Sequence, residues 1–180
     1  KELLTLAAKN SGLCRELFET HDEKPTSSFL YSLVMDSYSM GYTNSAYMDM
    51  PINHKIFLAQ FDTIKKLASE ESCVIIGRCA NYVLDGMEGL LRVYLYADIE
   101  VREARIREKD LYDEKEVLKN IKRIDRERRD YHRYYTGRDW QELDNYDLVI
   151  NTTHIGVDGA VAVIKNYLTV MGYDLEKDFH

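Results

Sequence analysis

A row of cations on a predicted helix is the part of this sequence best suited to chemistry. Residues 117–135 follow the helical period of about 3.6 residues and separate into two faces. The apolar face holds Val117, Ile121, Ile124 and Tyr131. The opposite face holds the cationic stripe, which consists of Lys122, Arg126, Arg129 and Arg133. Because arginine presents a planar fork of donors that matches phosphate oxygens, the stripe favours phosphate as its ligand; the alternative is a solvated basic face.

The chain as a whole is acidic, in contrast to the cationic stripe. The chain has 180 residues and a formal net charge of −7. A net negative charge argues against a general binder of nucleic acid or membrane surfaces, because phosphate-rich surfaces attract basic proteins. The length suits one domain with a full core, and the sequence leaves the oligomeric state open.

The cysteines and the apolar runs bear on the compartment. Cys14, Cys73 and Cys79 lack paired spacing, which indicates no disulfide framework and fits a reducing cytosol. Cys73 borders an apolar run, so we expect a buried thiol there. No apolar run approaches the ~20 residues of a membrane helix, and no cysteine or histidine cluster has zinc spacing. We therefore predict a cytoplasmic protein whose site residues include no metal ligand.

Alternating helical and strand patterns predict an α/β fold. Helical patterns cover 1–10, 12–25, 53–69, 113–135 and 158–170. Short apolar runs predict buried strands at 73–77, 92–97 and 147–151. Gly12 is suited to end the first helix, whereas Asp98 and Asp113 are suited to cap the helices that follow them. We expect a parallel sheet that contains these strands, with helices on both faces.

Ligands of parallel sheets bind beyond the carboxyl ends of the strands, which directs attention to three dipeptides. These are Gly77-Arg78, Ala97-Asp98 and Asn151-Thr152. Gly77 allows close approach of the backbone, and Arg78 is expected to project from a strand end into the ligand crevice. The alternative for Arg78 is an ion pair with a nearby carboxylate. We expect the cationic stripe to face the same crevice as Arg78.

The ordered set of segments resembles the cytidylate-kinase-like family of P-loop nucleoside monophosphate kinases. The resemblance covers nearly the whole chain and is carried by Asp22–Pro25, the helix from Asn53, Val74–Leu84, Val93–Arg107, the basic helix and Tyr146–Asn151. It implies a P-loop kinase-like three-layer α/β/α fold with a parallel central sheet. It also implies one nucleotide-kinase-like domain over 1–180, with an acceptor-binding insertion at about 26–51 and a lid at about 107–135.

The resemblance also implies an activity and roles for individual residues. The activity is phosphoryl transfer from ATP, with Mg²⁺, to a nucleoside monophosphate, so the expected partners are small nucleotides. The lid residues with catalytic roles are Arg126, Arg129 and Arg133. Further phosphate and nucleotide contacts fall to Gly77, Arg78, Arg105 or Arg107, and Lys122. The loop after Asn151 matches the segment that lies near the donor adenine.

Two departures from the family pattern bear on this function. The chain contains no Gly-x-x-x-x-Gly-Lys-[Ser/Thr] loop, which in the family precedes the helix that opens this chain. We expect the first strand and this loop to be absent from the chain, ahead of Lys1; the alternative is a protein without an ATP cradle. No arginine occurs between Arg15 and Arg78, where cytidylate kinases hold the acceptor. Substitutes are Lys55, Gln60 and tyrosines such as Tyr38, so the acceptor need not be CMP.

Three functions therefore stay open. The first is the nucleotide kinase, the second a catalytically inactive P-loop relative that binds a nucleotide or a protein, and the third a kinase of another small metabolite. The tyrosines of 26–51 can stack on a base or pack the insertion onto the core. We expect this insertion to be among the less stable regions, because it has few aliphatic anchors.

Overall fold

The computed structural model describes residues 2–12, 51–109 and 114–175, with the side chain of Glu114 left out. The helices in these ranges are α1 (Glu2–Ser11), α2 (Ile52–Glu70), α3 (Ala80–Val83), α4 (Ile99–Arg107), α5 (Val117–Thr136) and α6 (Gly156–Val170). The strands are β1 (Val93–Tyr96) and β2 (Leu148–Asn151), and short 3-10 turns cover Glu114–Glu116 and Leu143–Asn145. The predictions for 12–25, 26–51 and Asp113 fall largely or wholly outside the described residues.

The chain divides into two compact units. The first unit combines Lys1–Met87 with Arg126–Gln141, and the second combines Glu88–Asp125 with Glu142–His180. Helix α5 contributes its first half to the second unit and its second half to the first unit. The single domain over 1–180, its insertion and its lid stay predictions.

Helices α1 and α2 pack together in the first unit, and both were predicted from their periods. Leu4, Ala7 and Ala8 of α1 form one cluster with Ile56 and Ala59 of α2. Helix α1 ends as expected, because Gly12 adopts a φ of 71° and its N–H donates to the carbonyl of Ala8 at 3.1 Å. Glycine reaches this left-handed conformation without a steric penalty.

An aromatic cluster holds the second half of α5 against α2. The rings of Phe57 and Tyr135 are stacked at 4.0 Å with an interplanar angle of 9°. Tyr131 lies 4.7 Å from Tyr135 and 6.4 Å from Phe57 between ring centroids. All three side chains are buried, at 5% exposure or less. Because side chains on one helix have fixed relative directions, burial of Tyr131 and Tyr135 sets the rotation of this half of α5.

Two buried histidines pair with neutral groups in the same unit. Nε2 of His54 lies 2.9 Å from the hydroxyl of Tyr134. Nδ1 of His132 lies 3.2 Å from both the carbonyl oxygen of Arg138 and the hydroxyl of Thr136. Burial lowers the pKa of each imidazole below its usual value, because removal from water disfavours the charged form.

The second unit contains a parallel pair of strands, as the sequence predicted for these two segments. The register pairs Val93 with Leu148 and Tyr96 with Asn151. An ion pair at the amino ends of the strands fixes this register. Two guanidinium nitrogens of Arg92 donate to the carboxylate of Asp147 at 2.7 and 3.0 Å, and the backbone N–H of Arg92 donates to it at 2.8 Å.

The prediction of a buried strand at 73–77 is wrong. In the described part of the chain this segment joins no strand, and Val74 and Ile76 are 92% and 87% exposed. Cys73 is exposed as well, contrary to the expected buried thiol, whereas Cys79 is buried. A β-branched run favours extended backbone, but it becomes a buried strand only where a neighbouring strand accepts its hydrogen bonds and covers its side chains. The described sheet therefore contains β1 and β2 alone.

The stacked pair supports a stability prediction. We expect Phe57→Ala to lower the free energy of unfolding by about 3 kcal/mol or more, because the change leaves a cavity beside Tyr135. Urea denaturation of purified protein measures this change. Val74→Ala is the matched control at an exposed site, and we expect it to stay within about 0.5 kcal/mol of the wild type. Equal effects of the two substitutions would contradict the packing described here.

The buried histidines predict a pH dependence. Their pKa values lie below the ordinary 6.5 in the folded chain, so the unfolded chain binds protons first as the pH falls through about 6.5. The free energy of unfolding should therefore decrease between pH 7.5 and 5.5, by at most about 1.4 kcal/mol per pH unit for each histidine. Urea midpoints measured across this range should fall less steeply in the His54→Gln/His132→Gln variant. His154→Gln, at an exposed position, should keep the wild-type slope.

Candidate functional site

The structure places the cationic stripe on the exposed side of α5. Lys122, Arg126, Arg129 and Arg133 are all exposed. Of the predicted apolar face, Val117, Ile121 and Tyr131 are buried and Ile124 is half-buried. The predicted division of the helix into two faces is therefore confirmed. At about 1.5 Å per residue, the stripe extends about 16 Å along the helix.

The stripe side chains differ from the other arginines in what surrounds them. Within the described residues, no ion pair or hydrogen bond involves the side chains of Lys122, Arg126, Arg129 and Arg133. Each of the other described arginines interacts with a neighbouring group: Arg78, Arg92, Arg102, Arg105, Arg107, Arg123, Arg128 and Arg138. A row of like charges at this spacing is self-repelling, and a bound anion relieves that repulsion.

One carboxylate beside the stripe is held by α4. Asp125 accepts two hydrogen bonds from Arg102, each at 2.7 Å, in a bidentate arrangement within the second unit. The hydrogen bonds to Asp125 raise the pKa of the Arg102 guanidinium above its usual value. This pairing was not predictable from a local pattern, because the two residues lie 23 positions apart. Asp125 therefore pairs with Arg102 of α4 and not with a residue of the stripe.

The carboxyl ends of the strands meet in a loop that also contacts α4. Arg105 donates to the hydroxyl and the carbonyl oxygen of Thr152 at 3.1 and 2.8 Å. Asp98 occupies the capping position of α4, as predicted, but its side chain makes no capping hydrogen bond. Its backbone N–H instead donates to the hydroxyl of Thr153 at 2.8 Å. Arg107 pairs with Glu103 on its own helix at 3.0 Å.

Gly77 and Arg78 lie in a left-handed turn rather than at a strand end. The φ angles of Gly77, Arg78 and Cys79 are 72°, 58° and 56°. Non-glycine residues rarely adopt this conformation, and consecutive examples indicate strain that the surrounding structure must hold. Arg78 is half-buried and interacts with a neighbouring group. Its expected projection from a strand is wrong, since no strand precedes it among the described residues, and its phosphate contact stays a prediction.

The residues expected to contact the phosphate acceptor differ in how deeply they are buried. Gln60 lies on α2 and is 2% exposed. Lys55 lies on the same helix and is half-buried. Tyr38 lies outside the described residues. Their contact with an acceptor, and the meeting of the stripe with Arg78 in one crevice, stay predictions.

The described part of the chain offers no evident metal centre. No group of three or more His, Cys, Asp or Glu side chains in it could hold a metal ion. The described residues therefore include no protein cage for the Mg²⁺ that the family resemblance implies. Among the same residues, no helix is long and apolar enough to cross a membrane.

Sequence relatives cover much of the chain. Cytidylate kinase from Sulfolobus acidocaldarius is 32% identical over 121 residues, which are 67% of this chain and 64% of that protein. Cytidylate kinase from Thermococcus kodakarensis is 33% identical over 100 residues, 54% of this chain and 50% of that protein. Cytidylate kinase from Sulfurisphaera tokodaii is 32% identical over 136 residues, 74% of this chain and 68% of that protein. The matched part of the chain thus spans between half and about two thirds of the length of these relatives.

One solved structure resembles this chain over most of its length. The crystal structure of an uncharacterized protein from Eubacterium ventriosum is 28% identical and has a TM-score of 0.60, over 92% of this chain and 90% of that chain. This likeness and the parallel strand pair are compatible with an α/β kinase-like fold. The sequence profile of the cytidylate kinase-like family matches residues 1–154, which includes the stripe, the strained turn and both strands. The chain therefore belongs to the cytidylate kinase-like family.

Proposed function

We propose that the protein transfers the γ-phosphoryl group of ATP to a nucleoside monophosphate. An oxygen of the acceptor phosphate attacks the γ-phosphorus, the bond from that phosphorus to the β–γ bridging oxygen breaks, and ADP leaves. Such a reaction requires positioned cations over the phosphate oxygens and little covalent chemistry from the protein. The expected partners are small nucleotides, with no role for nucleic acid or membrane.

The observation that carries this proposal is that the stripe side chains are exposed and form no ion pair or hydrogen bond among the described residues. Arg126, Arg129 and Arg133 lie three and four positions apart, so their side chains emerge along one line of α5. Each guanidinium group can present two parallel N–H donors to a phosphate. A polyphosphate carries several negative charges along its length. It therefore matches a row of cations better than a ligand with a single carboxylate does. Lys122 extends the row as a single point charge.

The family match gives the stripe a chemical context. The relatives from three archaea are named cytidylate kinases, and their similarity makes a nucleoside monophosphate the acceptor of choice. CMP is the first candidate, although no arginine lies between Arg15 and Arg78 to hold its phosphate. Magnesium, when bound, would lower the charge of the phosphates. Proteins commonly bind Mg²⁺ with one or two carboxylates together with the phosphates of the nucleotide.

Substitution of the stripe tests the proposal. We expect Arg129→Ala to lower kcat/KM for phosphoryl transfer from ATP to CMP about 100-fold, because a cation over the transferred group is lost. Arg129→Lys keeps the charge but loses the fork, so a smaller loss of about tenfold is expected. Formation of ADP, followed in a coupled assay with CMP, UMP and AMP as acceptors, measures both changes.

Arg128→Ala is the matched control. Arg128 is exposed on the same helix but lies about 100° to 160° around the axis from every stripe residue. The substitution Arg128→Ala removes one positive charge, as Arg129→Ala does, and we expect its kcat/KM to lie within twofold of the wild type. If Arg126→Ala, Arg129→Ala and Arg133→Ala behaved like this control, the stripe would be an ordinary solvated face. Nucleotide binding without turnover of any acceptor would instead support the inactive P-loop relative.

A further inference from the structure

The carboxylate of Asp125 lies on α5 at the edge of the cationic stripe. Asp125 follows Lys122 by three positions and precedes Arg129 by four, which are the spacings at which side chains of one helix meet. An aspartate placed four positions before an arginine favours an ion pair on a helix surface. A phosphate that binds Arg129 therefore has a potential competitor in this carboxylate.

Arg102 of α4 occupies both oxygens of that carboxylate. Its Nη1 donates to Oδ2 of Asp125 and its Nη2 donates to Oδ1, each at 2.7 Å. Both residues belong to the second unit, and their side chains are partly buried, at 34% and 22% exposure. Bidentate bonds between charged groups are strong, whereas an exposed ion pair along one helix contributes little. The contact with Arg102 is therefore the favoured one for Asp125.

A second carboxylate at the edge of the stripe has no such partner. Asp130 follows Arg126 by four positions and precedes Arg133 by three, so its spacing mirrors that of Asp125. Its side chain is exposed, and no ion pair or hydrogen bond involves it among the described residues. Of these two carboxylates, the fold binds Asp125 through Arg102 and leaves Asp130 exposed.

A carboxylate beside Arg129 opposes the binding of a polyphosphate in two ways. It can pair with the guanidinium group that the phosphate needs, and its negative charge repels the phosphate oxygens. Both effects become small when the carboxylate is turned toward a guanidinium group of another helix, because the resulting ion pair is close to neutral. The bonds from Arg102 place Asp125 in this second state.

We propose that Arg102 is a positioning residue for the stripe, which holds Asp125 on α4 and so prevents this carboxylate from competing with a polyphosphate for Arg129. Arg102 acts through Asp125 and does not contact the phosphate. This inference rests on the proposed function, because it takes the stripe as the phosphate site. It gives a role to a residue outside the set that the family resemblance implies.

A double-mutant cycle on Arg102 and Asp125 tests the inference, with binding of inorganic tripolyphosphate measured by calorimetry. We expect Arg102→Met, which keeps much of the apolar stem, to weaken binding about fivefold, because it releases Asp125. Adding Asp125→Asn to this variant should restore the wild-type affinity within twofold. Asp125→Asn alone should change the affinity less than twofold. This dependence of one substitution on the other is what a role through Asp125 requires, and a general loss of stability does not produce it.

Two variants serve as matched controls. Asp130→Asn removes the carboxylate that no described residue holds, so we expect it to raise the affinity about threefold. Arg128→Ala removes one positive charge, as Arg102→Met does, but leaves Asp125 bound, and its affinity should stay within twofold of the wild type. If Arg102→Met loses its cooperative unfolding transition, Arg102→Lys carries the same cycle, since lysine lacks the fork that holds both oxygens.

The outcomes separate this inference from the proposed function. Wild-type affinity in Arg102→Met would overturn the inference, as would a gain from Asp125→Asn that is equal with and without Arg102. A loss in Arg102→Met that Asp125→Asn does not reverse would overturn it too, since Arg102 would then act directly or as a scaffold. The kinase proposal survives each of these results if Arg129→Ala still weakens binding. Equal affinities of the wild type and Arg129→Ala for tripolyphosphate would remove both proposals.

Discussion

The stack of Phe57 on Tyr135 is the contact on which the first unit's part of the site depends. Burial of Tyr135 and Tyr131 against α2 fixes the rotation of the second half of α5. Since directions on one helix are coupled, the same packing sends Arg126, Arg129 and Arg133 outward. The direction of the cations is thus set by aromatic packing on the opposite face of the helix.

The described arginine side chains differ in whether other residues of the fold already bind them. Among the described residues, Arg126, Arg129 and Arg133 of the first unit have exposed side chains that form no ion pair or hydrogen bond, a state that water tolerates and that a polyanion relieves. In the second unit, Arg92 and Arg102 bind carboxylates, and Arg105 binds a hydroxyl and a carbonyl oxygen. These contacts set the strand register, the position of α4 and the form of the loop after Asn151. The first unit also contains a paired arginine, Arg138 with Asp85, so the stripe differs from the paired arginines of both units.

The sequence predicted the features that depend on local order and missed those that depend on distant partners. Helices α1, α2 and α5 were predicted from the spacing of their apolar residues. The end of α1 was predicted from Gly12, because the left-handed φ of a single residue ends the helix. The run at 73–77 has the composition of a strand but needs a neighbouring strand to become one. The left-handed φ of Arg78 was not predictable either, because nothing in an arginine side chain favours it. The bonds of Arg105 to Thr152 join residues 47 positions apart, which no local pattern can show.

Arg129 of the stripe forms no ion pair among the described residues, although the chain has no lack of carboxylates. The chain has 31 Asp and Glu residues against 24 Lys and Arg residues, so potential partners are in excess. Within reach of Arg129 on the helix, three of the four neighbours are Arg126, His132 and Arg133, and the fourth is Asp125. Arg102 holds that carboxylate through two bonds of 2.7 Å and keeps it within the second unit. The spacing of like charges and the removal of the one acidic neighbour act together, so the same contact that anchors α4 also keeps Arg129 available to an anion.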